Sequence, residues 1–309
     1  RLLYKKSMAI RMRAIAETEN LSVADRTPLI DSFGRAVTYL RVSLTEACNF
    51  RCSYCVPPGG FQPVTSDGWL TRAEIVRVVT ILCRLGINRV RLTGGEPLLR
   101  AELVDIVRDL KPIAGLDDLS ITTNGSLLGP LIGRLKAAGL DRINISLDTL
   151  HADRFEQMTR RNELVNVLAG IDAAVAAGFS PVKINAVIER GVNDDEIVDL
   201  ARFGRERGVE VRFIEFMPLD ATGHWANDRV VGQDEIVERI AEVFPLEQMP
   251  ARGAAPADRW RYLDGAGTVG VIPSVTKPFL KRSRTALKAS LISWRASSGA
   301  VTLKRSEEH

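Results

Sequence analysis

The sequence predicts an α/β fold in which parallel strands form a barrel or part of one. Short apolar stretches alternate with helix-like segments between residues 39 and 215, which gives six strands and five crossover helices. Hydrophobic residues make up 45% of the 309 residues and charged residues 26%, as in ordinary globular proteins. No apolar run reaches the roughly 18 residues that a membrane span requires.

The elements are predicted from capping residues and from glycines that end helices. Thr71 and Glu74 form a capping box that begins a helix ending at residue 84, and Asn193 with three following acids is expected to cap another. The predicted strands are 38–45, 88–93, 118–122, 142–147, 182–188 and 209–215, and the remaining helices are 101–110, 130–138 and 163–177. Beyond residue 217 the pattern weakens to a loop at 218–232, a helix at 233–243, a connector at 249–267 and a strand at 267–274.

Three of the four cysteines, Cys48, Cys52 and Cys55, lie within eight residues on the loop after the first strand. Zinc sites usually use two close pairs of ligands, and this sequence has one triplet without a second pair. An iron–sulfur cluster normally has one cysteine per iron, so three cysteines can hold a four-iron cluster with one iron open. A disulfide with a spare thiol and a partial zinc site are the alternatives.

The C-x3-C-x2-C spacing, with the aromatic Tyr54 before the last cysteine, resembles the signature of radical S-adenosylmethionine (SAM) enzymes. The resemblance implies that SAM chelates the fourth iron of a [4Fe-4S] cluster. It also implies that one electron from the cluster splits SAM to methionine and a 5′-deoxyadenosyl radical. Unpaired cysteines suit a reducing compartment, so we expect a cytoplasmic location, or the mitochondrial matrix if the source is eukaryotic.

Polar residues follow the ends of the predicted strands, where the active sites of parallel barrels lie. They are the cysteine loop, Gly94 to Glu96, Thr122 to Gly125, Ser146 and Asp148, Lys183 and Asn185, and Glu215 and Met217. Each group alone is compatible with ordinary turn chemistry. Their convergence on one edge of the sheet predicts an active site there.

Longer stretches resemble GTP 3′,8-cyclase, the molybdenum cofactor biosynthesis protein A family, collinearly from about residue 30 to 279. Among them are RLTGGEPLLR at 91–100, TTNG at 122–125, INISLDT at 143–149 and VRFIEFM at 211–217. The resemblance implies an incomplete barrel of the radical SAM fold and a lyase that forms (8S)-3′,8-cyclo-7,8-dihydroguanosine 5′-triphosphate from GTP. The implied reaction is hydrogen abstraction from ribose C3′, followed by attack of C3′ on guanine C8.

The same resemblance implies the roles of individual residues. Cys48, Cys52 and Cys55 would bind the cluster; Tyr54, Gly95, Ser146 and Met217 would contact SAM; and Arg41, Arg91, Thr122 and Lys183 would contact GTP. The charges agree with this assignment, because a triphosphate is bound by cations and three of the GTP residues are basic.

The implied partners are GTP, an electron donor of the flavodoxin or ferredoxin type and a downstream cyclic pyranopterin monophosphate synthase; a homodimer is left open. We expect neither nucleic acid nor membrane as a partner. The net charge of +4 comes from residues 280–309, where seven Lys and Arg face two Glu.

The resemblance ends after Phe279. The family has three further cysteines near its C-terminus that hold a second [4Fe-4S] cluster, whereas no cysteine follows Cys83 here. We therefore expect an extension at 1–30, a radical SAM core at 31–217, a partial C-terminal domain at 218–279 and a disordered basic tail at 280–309, produced by a frame shift, truncation or aberrant splice. A catalytically impaired homologue that keeps only the SAM cluster is the alternative to an active cyclase. A zinc-binding module lacks a fourth ligand.

Overall fold

The computed structural model describes residues 28–31, 34, 36–55, 69–218, 225–250 and 256–277. The predicted tail at 280–309 and nearly all of the predicted extension at 1–30 lie outside these residues. In the described part, nine strands form one sheet and seven α-helices accompany it. None of these helices combines the length and the apolar character that crossing a bilayer demands.

The first six strands pair in parallel and in chain order, as the alternation predicts. They are β1 (Tyr39–Ser43), β2 (Arg89–Thr93), β3 (Asp118–Thr123), β4 (Arg142–Ser146), β5 (Lys183–Ile188) and β6 (Glu210–Glu215). The helices are α1 (Arg72–Arg84), α2 (Leu103–Leu110), α3 (Ile132–Ala137), α4 (Ala152–Thr159), α5 (Leu164–Ala176), α6 (Ile197–Arg207) and α7 (Gln233–Ala241). The order of the strands leaves β1 unpaired on one side, so the sheet is a partial barrel.

Helix α1 illustrates how the sequence determines the elements. The Thr71 side chain accepts a hydrogen bond from the Glu74 N–H, and the Glu74 carboxylate accepts one from the Thr71 N–H at 2.8 Å, which confirms the predicted capping box. Ile75, Val79 and Cys83 are buried at a spacing of four residues and face the sheet. Cys83 is therefore a core residue, as its apolar surroundings in the sequence predict.

The predicted cap of the helix at 193–207 is wrong. Asn193 precedes a 3-10 turn at Asp194–Glu196, and its side chain makes no capping hydrogen bond. It is fully buried, accepts a hydrogen bond from the Glu189 N–H, and donates to the carbonyls of Asp148 and Val187. The buried backbone groups near the end of β5 use this amide as their hydrogen-bond partner. Leaving them unpaired would cost more free energy than a helix cap provides.

The predicted connector at 249–267 is also wrong in part. Strands β7 (Leu246–Gln248) and β8 (Asp258–Tyr262) are antiparallel neighbours, and β8 pairs with β9 (Thr268–Ile272). Strand β9 continues the parallel sheet beside β6, close to the predicted strand at 267–274. In β8, Trp260 and Tyr262 are buried and alternate with arginines, a period of two that the surrounding Gly and Pro residues obscured.

Glu215, at the end of β6, holds the segment that follows β9. Its carboxylate is fully buried and accepts hydrogen bonds from the backbone N–H groups of Gln233, Val275 and Thr276 at 2.7–2.9 Å, and from the Thr276 hydroxyl. The prediction that Glu215 is one of the polar groups of the mouth is therefore wrong. Its charge is used to anchor two loops to the barrel.

We expect Glu215→Ala to lower the free energy of unfolding by about 3 kcal/mol, because three buried backbone donors lose their acceptor. Urea unfolding followed by circular dichroism measures this change. The control is Glu242→Ala, since Glu242 is exposed and we expect a change within about 0.5 kcal/mol. Equal urea midpoints for the two variants would contradict the anchoring role.

Candidate active site

The cysteine loop lies over the carboxyl ends of the strands and is held from two sides. On one side, the N–H groups of Gly95 and Glu96 donate to the carbonyls of Thr45 and Ala47, each at 2.7 Å. On the other side, the loop donates to the last turn of α4, with Arg51 N–H to Thr159 O and Ser53 N–H to Met158 O at 2.9 Å. Helix α4, which the sequence did not predict, is therefore part of the support of this loop.

The three cysteines of the loop are free thiols. Cys48 and Cys52 are half-buried against the core, and Cys55 is exposed. Burial raises the pKa of Cys48 and Cys52, and the pKa of Cys52 is raised further by the negative charges of Asp148 and of the other two thiols. The charge of Cys55 raises the pKa of both Cys48 and Cys52, so the three sulfur atoms lie near one another.

The three cysteines of this loop match the ligand number of a four-iron cluster with one open iron. Within the described ranges, no three His, Cys, Asp or Glu side chains are close enough together to hold one metal ion. A four-iron cluster places each cysteine on a different iron, so its ligands lie farther apart than those of one zinc ion.

Gly95 is packed against the cysteine loop. A Cβ at this position would lie 2.6 Å from the Glu46 carbonyl oxygen and closer still to that of Ala47, and backbone atoms cannot yield at such distances. Its contact with SAM stays a prediction. The close approach between two backbones is by itself a sufficient reason for glycine.

Two buried carboxylates connect the strand ends to the cysteine loop. Glu96 accepts hydrogen bonds from the Asn124 N–H and the Thr123 hydroxyl, and the Asn124 side chain donates to Asn49 of the loop at 2.8 Å. Asp148 accepts from the Tyr54 hydroxyl at 2.6 Å. The sequence motifs contain all of these residues, but only the folded chain brings them into contact.

Burial raises the pKa of Asp148 to about 6 and also raises that of Glu96. Hydrogen bonds from Tyr54 and from the Val187 N–H oppose the shift at Asp148. Both carboxylates are thus largely removed from water and are stabilised by donors that the loops provide.

The concave face of the sheet carries cations on successive strands. Registers Arg41↔Arg91, Arg91↔Ser120 and Ser120↔Arg142 place these residues on one face, and Lys183 and Arg212 lie on the same face of β5 and β6. The positive charges of Arg41, Arg142 and Arg212 all influence Arg91. Because β2 and β6 are not neighbours in the sheet, these side chains meet across the concave interior.

Arg142, Arg212 and Arg259 of this face were not among the predicted site residues. Asp118 pairs with Arg142, while Glu210 pairs with Arg212 at 2.6 Å and with Arg259 at 3.0 Å. The signal for Arg142 and Arg212 was present as alternating polar residues, at all three such positions of β4 and at the first two of β5 and β6.

The predicted GTP residues differ from these paired cations. Within the described residues Arg41, Arg91 and Lys183 form no salt bridge; Arg41 donates to the Tyr39 hydroxyl and Arg91 to the Ser120 hydroxyl, each at 3.3 Å. Burial lowers the pKa of Arg91, and burial together with the charge of Arg212 lowers the pKa of Lys183 to about 8. Arg41 is exposed, whereas Arg91 and Lys183 are partly buried, and the charge of Glu210 acts on Lys183 without forming a salt bridge. Cations that are outside salt bridges are suited to bind an anionic ligand.

Two polar atoms on the concave face have no partner. Oγ1 of Thr122 and Oδ1 of Asn185 are buried, and neither has a hydrogen-bond partner in the described part of the chain. Asn185 is in register with Ser146, the last residue of β4, and Met217 follows β6 by two residues. Buried polar atoms are normally satisfied, so these two are ready for the polar groups of a ligand.

Comparison with known proteins agrees with this geometry. Residues 42–204 match the family model of the Radical SAM superfamily, and residues 209–290 match that of Molybdenum Cofactor Synthesis C. The GTP 3′,8-cyclase of Moorella thermoacetica is 46% identical over 253 residues, covering 82% of this chain and 78% of that protein. The chain belongs to the GTP 3′,8-cyclase family.

A second member, the GTP 3′,8-cyclase of Streptomyces coelicolor, is 48% identical over 265 residues, covering 84% of this chain and 78% of its own length. Solved structures share the fold at low identity. Streptococcus suis SuiB bound to precursor peptide SuiA has a TM-score of 0.55 at 15% identity, over 78% of this chain and 58% of that chain. Methylornithine synthase has a TM-score of 0.53 at 18% identity, over 68% and 63%. The cyclase family member described here therefore has a partial barrel of the radical SAM fold.

We expect Gly95→Ala to reduce the iron and sulfide retained after anaerobic reconstitution to roughly half or less, because the added methyl group displaces the backbone of the cysteine loop. Colorimetric iron and sulfide assays of desalted protein measure the change. Gly133→Ala in α3 is the matched control, since open space surrounds that position, and it should retain as much iron as the unaltered chain. Full iron retention by Gly95→Ala would contradict the packing argument.

Proposed function

We propose that this protein is a GTP 3′,8-cyclase that forms (8S)-3′,8-cyclo-7,8-dihydroguanosine 5′-triphosphate from GTP with SAM and a reductant, as a step of molybdenum cofactor biosynthesis. The observation that carries the proposal is the position of the three-cysteine loop above a concave face with unpaired cations. The cysteine loop suits a redox cluster, and the cations of the concave face suit a triphosphate. The cysteine loop lies at the carboxyl ends of the strands, whereas Arg41 and Arg91 lie in the middle of β1 and β2 and Lys183 begins β5. The cations therefore line the concave face below the loop.

In this proposal, Cys48, Cys52 and Cys55 hold one [4Fe-4S] cluster. When bound, the cluster and SAM supply a hydrogen-abstracting radical. The chain itself positions the reacting groups and excludes water, which is the protein's usual share in cofactor chemistry. Tyr54, Gly95, Ser146 and Met217 would contact SAM at the rim of the barrel.

GTP would lie below this rim, with its triphosphate toward Arg41, Arg91 and Lys183. Support comes from the shared face of these residues and from the absence of a salt bridge to any of them in the described residues. The unpartnered hydroxyl of Thr122 is placed one strand from Arg91 and can bond a polar group of the same ligand. Binding the triphosphate would fix the ribose relative to SAM, so that C3′ rather than solvent meets the radical.

A second candidate function follows from the cysteine count. The sequence has four cysteines, three in the loop and Cys83 in the core, so none remains for the second cluster that the family resemblance implies. A homologue that binds SAM and cleaves it without forming the cyclic nucleotide is the alternative. The electron donor of the flavodoxin or ferredoxin type, the downstream synthase and a homodimer are likewise proposals.

We expect the reconstituted full chain, given GTP, SAM and dithionite without oxygen, to form the cyclic nucleotide detected by mass spectrometry. Replacing Cys48, Cys52 and Cys55 together with Ala should abolish both product and 5′-deoxyadenosine, whereas Cys83→Ala should retain both. Formation of 5′-deoxyadenosine without cyclic nucleotide would favour the SAM-cleaving alternative. A chain that binds no iron would contradict both functions.

We expect GTP affinity to fall by roughly tenfold between pH 7.5 and pH 9.5, because Lys183 has a pKa of about 8 and is protonated below that value. Loss of this proton removes one cation from the triphosphate site. Calorimetric titration with GTP at several pH values measures the change. Lys183→Arg is the matched control, since a guanidinium keeps its charge and should flatten the dependence. The same slope in Lys183→Arg would contradict a role of Lys183 in GTP binding.

A further inference from the structure

A chain of buried polar groups extends from the turn after β5 to the cysteine loop. The Asn193 side chain donates to the backbone carbonyl of Asp148 at 2.7 Å, and Asn193 itself is fully buried. The Asp148 carboxylate accepts from the Val187 N–H at 2.8 Å through Oδ1 and from the Tyr54 hydroxyl at 2.6 Å through Oδ2. Each member therefore fixes the next, and the last member stands immediately before Cys55 in the sequence.

The three cysteines differ in how they are supported. Cys48 and Cys52 pack against the hydrophobic core, whereas Cys55 is exposed. The Cys55 N–H donates to the Cys52 carbonyl at 3.0 Å, which closes the turn that contains Tyr54. Tyr54 attaches this turn to the sheet side of the barrel, beside the Ser53 N–H bond to α4, and it is the attachment adjacent to Cys55. Without that attachment, Cys55 has little packing to hold its position.

We propose that Asp148 is a positioning residue that fixes Tyr54 and, through it, the thiol of Cys55 as the third ligand of the cluster. This inference rests on the proposed cluster at the three cysteines. Asp148 is 6% exposed and each of its oxygens already accepts a hydrogen bond, so it acts by holding its neighbours.

The geometry of the pair favours this role over simple stabilisation of the fold. A hydroxyl bonded to a carboxylate at 2.6 Å is a short, charge-assisted hydrogen bond, and such bonds fix direction as well as distance. Val187 and Asn193 hold Asp148 rigidly from the barrel side, so the constraint acts on the loop. Groups that orient metal ligands in this way commonly change metal affinity by about 10- to 100-fold when removed.

Thr149 provides a matched control on the neighbouring position. Its hydroxyl donates to the buried carboxylate of Glu196, and Thr149 is itself fully buried. Thr149→Val thus removes one buried hydrogen bond to a carboxylate, as Tyr54→Phe does. In contrast to Tyr54, the Thr149–Glu196 pair has no hydrogen bond to the cysteine loop among the described residues.

The first measurement is the rate at which anaerobically reconstituted full-length protein loses iron to a ferrous chelator. The second is the electron paramagnetic resonance spectrum of the reduced cluster, recorded before and after SAM is added. We expect Tyr54→Phe and Asp148→Ala each to accelerate iron loss by about tenfold. The double variant should lose iron no faster than the faster single variant, because both changes break the same attachment. Thr149→Val should lose iron at the unaltered rate.

Asp148→Asn is the conservative variant for the case in which Asp148→Ala does not fold. Its amide can donate to the Tyr54 oxygen while its carbonyl still accepts from Val187, so we expect iron loss between the rates of the unaltered chain and Tyr54→Phe. The spectrum after addition of SAM should change in Tyr54→Phe and be unchanged in Thr149→Val.

Unaltered iron loss in Tyr54→Phe and Asp148→Asn, additive effects in the double variant, or equal acceleration by Thr149→Val would each overturn the proposal. An unaltered chain that takes up no iron would overturn the proposed function and this inference together. Normal uptake with no effect of the variants would overturn the inference alone. The readout does not require the cyclic nucleotide to be formed.

Discussion

Parallel pairing of six strands in chain order is the constraint on which the other features depend. It places every strand end at one edge and every second side chain on one face. Helices cover the outer face, and the inner face is left for polar residues such as Arg91 and Lys183. The cysteine loop, the glycines after β2 and the turn after β3 meet because they all leave the sheet at the same edge.

Buried carboxylates complete this framework. Glu96, Asp148, Glu196 and Glu215 are each almost inaccessible to water. Glu96, Glu196 and Glu215 accept backbone N–H groups from loops, and Asp148 accepts the Tyr54 hydroxyl of the cysteine loop. A buried charge is costly unless its hydrogen bonds are made, so each carboxylate strongly favours one conformation of the loop that it contacts. The buried carboxylates thus hold the loops in position, while the arginine and lysine side chains face the concave interior of the barrel.

The sequence could predict the six parallel strands because their apolar cores are short, repeated and separated by capping residues and helix-ending glycines. It also indicated the cysteine triplet and strand-end residues such as Gly95 and Ser146, but Lys183 and Asn185, which were predicted at a carboxyl end, lie in the first half of β5. Helix α4 and strand β8 were missed because their apolar positions are few and are separated by charged residues. The hydrogen bond of Tyr54 with Asp148 and the electrostatic influence of Arg212 on Arg91 depend on how the sheet curves, which no local pattern encodes.

The concentration of like charge on the concave face has a consequence for the behaviour of the protein before it meets a substrate. Besides burial, the positive charges of Arg41, Arg142 and Arg212 lower the pKa of Arg91, and those of Arg212, Arg142 and Arg259 lower the pKa of Lys183. The folded state therefore carries a repulsion that the extended chain escapes. Any polyanion that enters the barrel relieves this repulsion and shifts the folding equilibrium by mass action. The thermal stability of the barrel is therefore expected to depend on ionic strength and on phosphate-rich solutes.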